Sequence, residues 1–116
     1  MLRVLVVVAA LVAAPAAAAA GSLTIRPPSV QRGHVVALKG SADGCPVGDT
    51  VTLLSKAFVH THDFAGLPAV YAQVRRGGAF ATSTRIPATK APGRYTVTGR
   101  CGGGNLGLLK HLVVRR

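Results

Sequence analysis

Glutamate and tryptophan are absent from this chain of 116 residues, and aspartate occurs three times, at Asp43, Asp49 and Asp63. Each shortage closes off a class of chemistry. Glycoside hydrolysis needs two well-placed carboxyl groups, but Asp43 and Asp49 bracket a single turn and Asp63 is distant from both in sequence. No Gly-x-Ser-x-Gly stretch offers a serine nucleophile on a strand-to-helix elbow. The five aromatic residues, Phe58, Phe64, Phe80, Tyr71 and Tyr95, are needed mostly for a core, which argues against a base-stacking platform and so against a specific nucleic-acid partner. The single asparagine, Asn105, precedes Leu106 and Gly107, so there is no N-glycosylation sequon. The expectation is a protein that is not an enzyme, has no catalytic residues and carries no cofactor.

What is present begins with an address. Met1, Leu2 and Arg3 lead into the apolar run "VLVVVAALVAA", then Pro15 and five alanines ending at Ala20. A positive start, an apolar middle and small residues at Ala18 and Ala20 make the layout of a secretory signal peptide. Residues 1–20 are therefore expected to be cleaved, leaving one domain over residues 21–116, secreted or extracellular at the cell envelope. No second apolar span follows, so no transmembrane span is expected in the mature chain. Thirteen of the fourteen lysines and arginines follow residue 20 and face three acids, a formal charge of +10 on the mature chain. Such a surface attracts polyanions, and at a cell envelope these include anionic wall polymers, headgroups and released nucleic acid. The alternative is that the excess charge serves solubility alone. Two cysteines, Cys45 and Cys101, in an exported chain indicate a disulfide. Closing that loop stabilises the fold by about 4 kcal/mol in the chain-entropy model.

Turn residues punctuate the mature chain at short intervals, and the runs between them alternate apolar and polar, the period of a half-buried strand. Seven strands are expected: "SLTIRPP", "HVVALKG", "DTVTLLSKAF", "AVYAQV", "GAFATSTRIP", "GRYTVTGRC" and "LGLLKHLVV". In the sixth, Tyr95, Val97, Gly99 and Cys101 share one face, and Thr96, Thr98 and Arg100 the other. The seventh is ambiguous, because Lys110 interrupts the face of Leu106, Leu108, Leu112 and Val114. Gly102 to Gly104 lack the strand-to-helix setting of a phosphate loop and read as a flexible connection.

Seven short strands, the segment "PGRYTVTGRC" near the end and a last strand after a Gly-rich turn resemble the immunoglobulin-like β-sandwich domains of secreted bacterial proteins. The resemblance implies an all-β Greek-key sandwich. Tyr95 occupies the place of the corner tyrosine whose hydroxyl is tied to backbone in that family. There is no tryptophan, and Cys45 falls in the turn after the second strand, so the bridge is not the core bridge of antibody domains. It is expected to staple that turn to the end of the sixth strand. "CPVGD" and "CGGGNLG" then form one tip, and "PPSVQRG", "VHTHDFAGLP" and "PATKAPG" gather at the other.

The stretch "VHTHDFAG" raises a metal question. On extended backbone, His60 and His62 would project to one side. His34 and His111 are expected near the same end, and Asp63 could add an oxygen, a set that would suit zinc or copper. The plainer reading is a solvated loop. Phe64 and Leu67 in the same connection are expected to plug the open end of the sandwich; the competing reading is an apolar binding loop.

The leading functional expectation is a monomeric module for adhesion or binding at the cell envelope through its end loops, its partner an anionic envelope polymer or an envelope protein. One alternative is a small-ligand carrier resembling the neocarzinostatin-type apoproteins, with a cleft lined by Phe58, Phe64 or Tyr71. The other is the histidine metal site. Protein exported by the native host is expected to begin at Gly21 and to contain no free thiol. N-terminal sequencing and mass measurement after alkylation check both, and a retained leader or two alkylated cysteines would contradict the address.

Overall fold

The residues that the computed structural model describes, 21–102 and 104–116, form nine strands. The expected signal peptide, residues 1–20, lies outside them. One antiparallel sheet has three strands in the order β1 (Gly21–Arg26), β3 (Val35–Ala42), β7 (Ala79–Arg85). The second runs β2 (Ser29–Gln31), β9 (Gly104–Arg115), β8 (Gly93–Cys101), β4 (Thr50–Leu54), β6 (Leu67–Gln73), β5 (Asp63–Phe64). β2 pairs with β9 in parallel, and all other ladders are antiparallel. Among the described residues no helix is long and apolar enough to cross a membrane.

The expected count of seven is corrected to nine, and both additions have local causes. The first strand ends at Arg26, before Pro27 and Pro28, and the chain then crosses to the other sheet, where Ser29 to Gln31 pair with Val113 to Arg115. The second addition comes from Ala65 and Gly66, both with positive φ (51° and 80°). That is the backbone of a two-residue hairpin turn, and it pairs Asp63 with Pro68 and Phe64 with Leu67.

Between the sheets lies a core of alternate residues: Leu23 and Ile25 of β1, Val36 and Leu38 of β3, Val51 and Leu53 of β4, Val97 of β8, and Leu106, Leu108, Leu112 and Val114 of β9. Lys110 is exposed although it shares the parity of the β9 core residues, because it lies opposite β1 at the margin of the two sheets, beside Leu23 to Ile25. The third expected strand stops early. Ser55 is buried, its Oγ accepts a hydrogen bond from the Ala57 amide (3.1 Å), and the Phe58 amide donates to the Ser55 carbonyl (3.2 Å). A serine that offers the backbone such local bonds competes with strand pairing, and the turn swings Phe58 fully into the core. Phe58 thus joins the core where Phe64 and Leu67 were expected to plug the end; these two remain outside the core cluster.

Cys45, in the β3–β4 connection, is bridged to Cys101 at the end of β8, with the Cα atoms 6.1 Å apart. The bridge ties together one tip of the molecule, where the Cys45 amide also donates to the Ala42 carbonyl and the Gly48 amide to the Val74 carbonyl. At the other tip the Tyr95 hydroxyl donates to the Ala91 carbonyl at 2.6 Å.

The three-stranded sheet depends on one missing side chain. A Cβ on Gly40 would sit 1.8 Å from the Ser22 carbonyl oxygen and 2.8 Å from the Phe80 ring. Backbone cannot yield as a side chain can, so β1 and β3 would have to part. Gly40→Ala is expected to destabilise the protein by about 3 kcal/mol, as overpacking does at an unyielding site. At Gly99 the added Cβ meets chiefly the side chain of Leu108, at 2.3 Å, which has rotamers to move into. Gly99→Ala is expected to cost about half as much, and denaturant unfolding of the two variants beside the parent measures the contrast.

Candidate functional site

Charge is distributed unevenly along the strands. The registers put Arg26 of β1 and Arg85 of β7 at the same end as the start of β3 and the close of β9, where Arg32, Arg115 and Arg116 also lie; the Arg32 amide bonds the Arg115 carbonyl. Lys56, Lys90 and Arg94 stand at this end on the side of the larger sheet, on the β4–β5 connection, the β7–β8 connection and the start of β8. One acid is found here, Asp63. Asp43 and Asp49 are at the disulfide tip, near Arg75 and Arg76.

Two open grooves run over this basic end. The first, of about 340 Å³, lies on the outer face of the larger sheet. Leu54 and Leu67 form its apolar base, Thr96 and Thr98 of β8 its hydroxyl-bearing wall, and Lys56 and Arg94 its cationic rim. The two threonines point outward because Val97, between them, is fully buried and alternate strand residues face opposite sides. The second groove, of about 570 Å³, continues around the end between the β4–β5 and β7–β8 connections, with Val59, His60, Thr89 and Lys90 along it. Lys56 and Tyr95 border both. Lys90 Nζ donates to the Lys56 carbonyl at 2.8 Å and the Lys90 amide to the Pro87 carbonyl at 3.1 Å, which sets the spacing of the two connections. No carboxylate lines either groove.

The four histidines and Asp63 of the metal alternative do not form one cluster among the described residues. His60 Nδ1 lies 3.0 Å from Asp63 Oδ1, both side chains well exposed, and the His62 ring stacks on Tyr71 with centroids 4.7 Å apart. His34 sits in the turn before β3, with its amide on the Gln31 carbonyl and its carbonyl accepting from Ile86. His111 is on β9 opposite Thr96. Among the described residues, three ligand-type groups come within 4.8 Å of one another only at Cys45, Asp49 and Cys101, and there the two sulfurs are bonded to each other. The physical reason is local: residues 59–62 turn instead of extending, with the Thr61 amide on the Val59 carbonyl, so the two-residue spacing does not place His60 and His62 side by side.

Phe64 and Leu67 lie on the outer face of the larger sheet. Arg100 places its guanidinium 5.2 Å from the centroid of the Phe64 ring, a cation–π geometry, and Leu67 lines the first groove. Phe58, Phe64 and Tyr71, expected around the cleft of a carrier, are engaged separately: Phe58 in the core, Phe64 beneath Arg100, Tyr71 against His62. Sequence reasoning had not singled out Lys56, Lys90, Arg94, Thr96 or Thr98. Among these, the outward phase of Thr96 and Thr98 was the one available signal.

No family model and no curated protein matches this chain. Its fold is similar to part of the solved structure of the Pseudomonas fluorescens alkylpurine DNA glycosylase AlkC bound to DNA containing an abasic-site analogue, with a TM-score of 0.53 and 19% sequence identity. The likeness covers 84% of this chain and 30% of that one, so the chain spans less than a third of the glycosylase's length. This likeness corrects the expectation of an envelope-adhesion module that has envelope polymers or proteins for partners and excludes specific nucleic acid: the fold occurs in a protein bound to DNA. The exclusion had rested on scarce aromatic residues, but phosphate contacts require cations and hydrogen-bond donors, not rings.

Proposed function

We propose that residues 21–116 form an exported, immunoglobulin-like domain that binds the sugar–phosphate backbone of nucleic acid and performs no chemistry on it. The observation that carries the proposal is the segregation of charge. Cations gather at one end over two grooves whose linings contain no carboxylate, while two of the three acids sit at the disulfide tip. Phosphate neutralisation by lysine and arginine accounts for most sequence-independent affinity for nucleic acid. The fold shared with part of a DNA-bound glycosylase supports the same partner.

The immunoglobulin-like assignment is supported by the two packed sheets and by the bond from the Tyr95 hydroxyl to the Ala91 carbonyl, which has the form of a tyrosine corner. Export is supported by the layout of residues 1–20 and by a disulfide of the kind that persists in oxidising compartments. The nucleic acid it meets is then extracellular.

Fluorescence anisotropy with labelled single-stranded and duplex DNA, each about 25 nucleotides long, is expected to show micromolar binding that weakens as salt rises from about 50 to 200 mM. Charge reversal at the basic end (Lys90→Glu with Arg94→Glu) is expected to reduce affinity at least roughly tenfold, and reversal at the other tip (Arg75→Glu with Arg76→Glu) by about threefold or less, since exposed charges farther than a Debye length are screened. Equal losses from the two pairs, or no salt-dependent binding of either DNA, would refute the proposal.

A further inference from the structure

We infer that the two joined grooves are a track for an unpaired strand, so that the domain prefers single-stranded nucleic acid to duplex; the inference rests on the nucleic-acid reading above and makes it more specific. The first groove combines two features that a duplex cannot use together. Its rim carries Lys56 and Arg94, and neither side chain has a partner among the described residues. Its base is apolar, made by the nearly buried Leu54 and the half-buried Leu67. A duplex presents phosphates on a convex surface and keeps its base faces stacked inside, so it reaches the cations and leaves the leucines in water. An unpaired nucleotide can lay its base face or its ribose on Leu54 and Leu67 while its phosphate meets Arg94 or Lys56. Thr96 and Thr98 add hydroxyls that both donate and accept along the wall.

The second groove supplies the continuation. It shares Lys56 and Tyr95 with the first, so a strand leaving the outer face passes a cation at the junction and then reaches Lys90. The ammonium of Lys90 uses one of its three donors on the Lys56 carbonyl, and two are left for phosphate. His60 and Thr89 border the same path. Tyr95 offers little for base stacking, since its hydroxyl is held by the Ala91 carbonyl and its ring leans on the core. Phe58, also in the second groove, is fully buried. Contact with the strand is therefore through phosphate charge and apolar faces, which every base possesses, and base composition should matter little.

The test compares one DNA sequence as a single strand and as a duplex, at equal salt, with the parent protein and two variants, Leu67→Gln and Thr96→Glu. Thr96 is exposed, so its variant keeps the experiment decisive if Leu67→Gln melts early. The parent is expected to bind the strand about tenfold tighter than the duplex, a ratio that corresponds to about 1.4 kcal/mol. Both variants are expected to bring that ratio to within about threefold. Equal affinity for the two forms, or tighter duplex binding, overturns the track and leaves the backbone-binding proposal standing. A strand preference that survives in Thr96→Glu also overturns it, because the strand then lies elsewhere. Binding of neither form removes the broader proposal and the track with it.

Discussion

Everything in the larger sheet depends on the two-residue period of β8. Its inward residues are Tyr95, Val97, Gly99 and Cys101: one is tied to Ala91, one is fully buried, one gives room to Leu108, and one closes the disulfide. Its outward residues are Arg94, Thr96, Thr98 and Arg100, which make the groove wall and reach Phe64. A slip of one residue would exchange the two sets. It would put arginines between the sheets and carry Cys101 away from Cys45, so the core, the bridge and the candidate site are consequences of a single register. The irregularity in the pairing with β9 falls between Thr98 and Arg100, after the threonines of the groove, and leaves their phase intact.

Shortage of acid shapes the surface as strongly as alternation shapes the interior. With three carboxylates for thirteen cations over residues 21–116, few lysines or arginines can pair within the molecule. Asp63, the one acid at the basic end, lies 3.0 Å from His60 Nδ1. Like charges brought close by folding repel, which opposes the compact state, and the basic end concentrates them. The disulfide acts at the opposite tip, where it restricts the unfolded chain irrespective of surface charge. Stability and a basic surface are thus provided at separate ends. Hydrogen bonds to main-chain carbonyls, from Lys90 to Lys56 and from Tyr95 to Ala91, hold the basic end in shape without consuming an acid.

The strands that alternate clearly were legible in advance: Val36 and Leu38, Val51 and Leu53, and Tyr95 through Cys101 occupy the faces that a period of two assigns them. The short strands were not. Three residues pairing with β9 and two residues closing a hairpin at Ala65–Gly66 are too brief for a period to register. The same limit applied to the histidines. A spacing of two implies a shared face only on extended backbone, and the turn at Val59 to Thr61 removed that premise. Phe58 looked like the end of a strand, whereas Ser55 turned the chain and delivered it to the core.

By itself the sequence determined the alternation that separates inside from outside, the identity of the disulfide partners, since two cysteines admit one pairing, and the excess of positive charge. These are properties of neighbouring residues or of composition. Only the tertiary structure decided that Lys56, Lys90 and Arg94, from three different segments, border continuous grooves, and that Leu54 and Leu67 lie beneath them. Their meeting depends on the registers of β4 with β6 and with β8 and on where the β4–β5 and β7–β8 connections turn. Those are set by contacts between residues far apart in the chain, and no local pattern encodes which distant cations will share a surface.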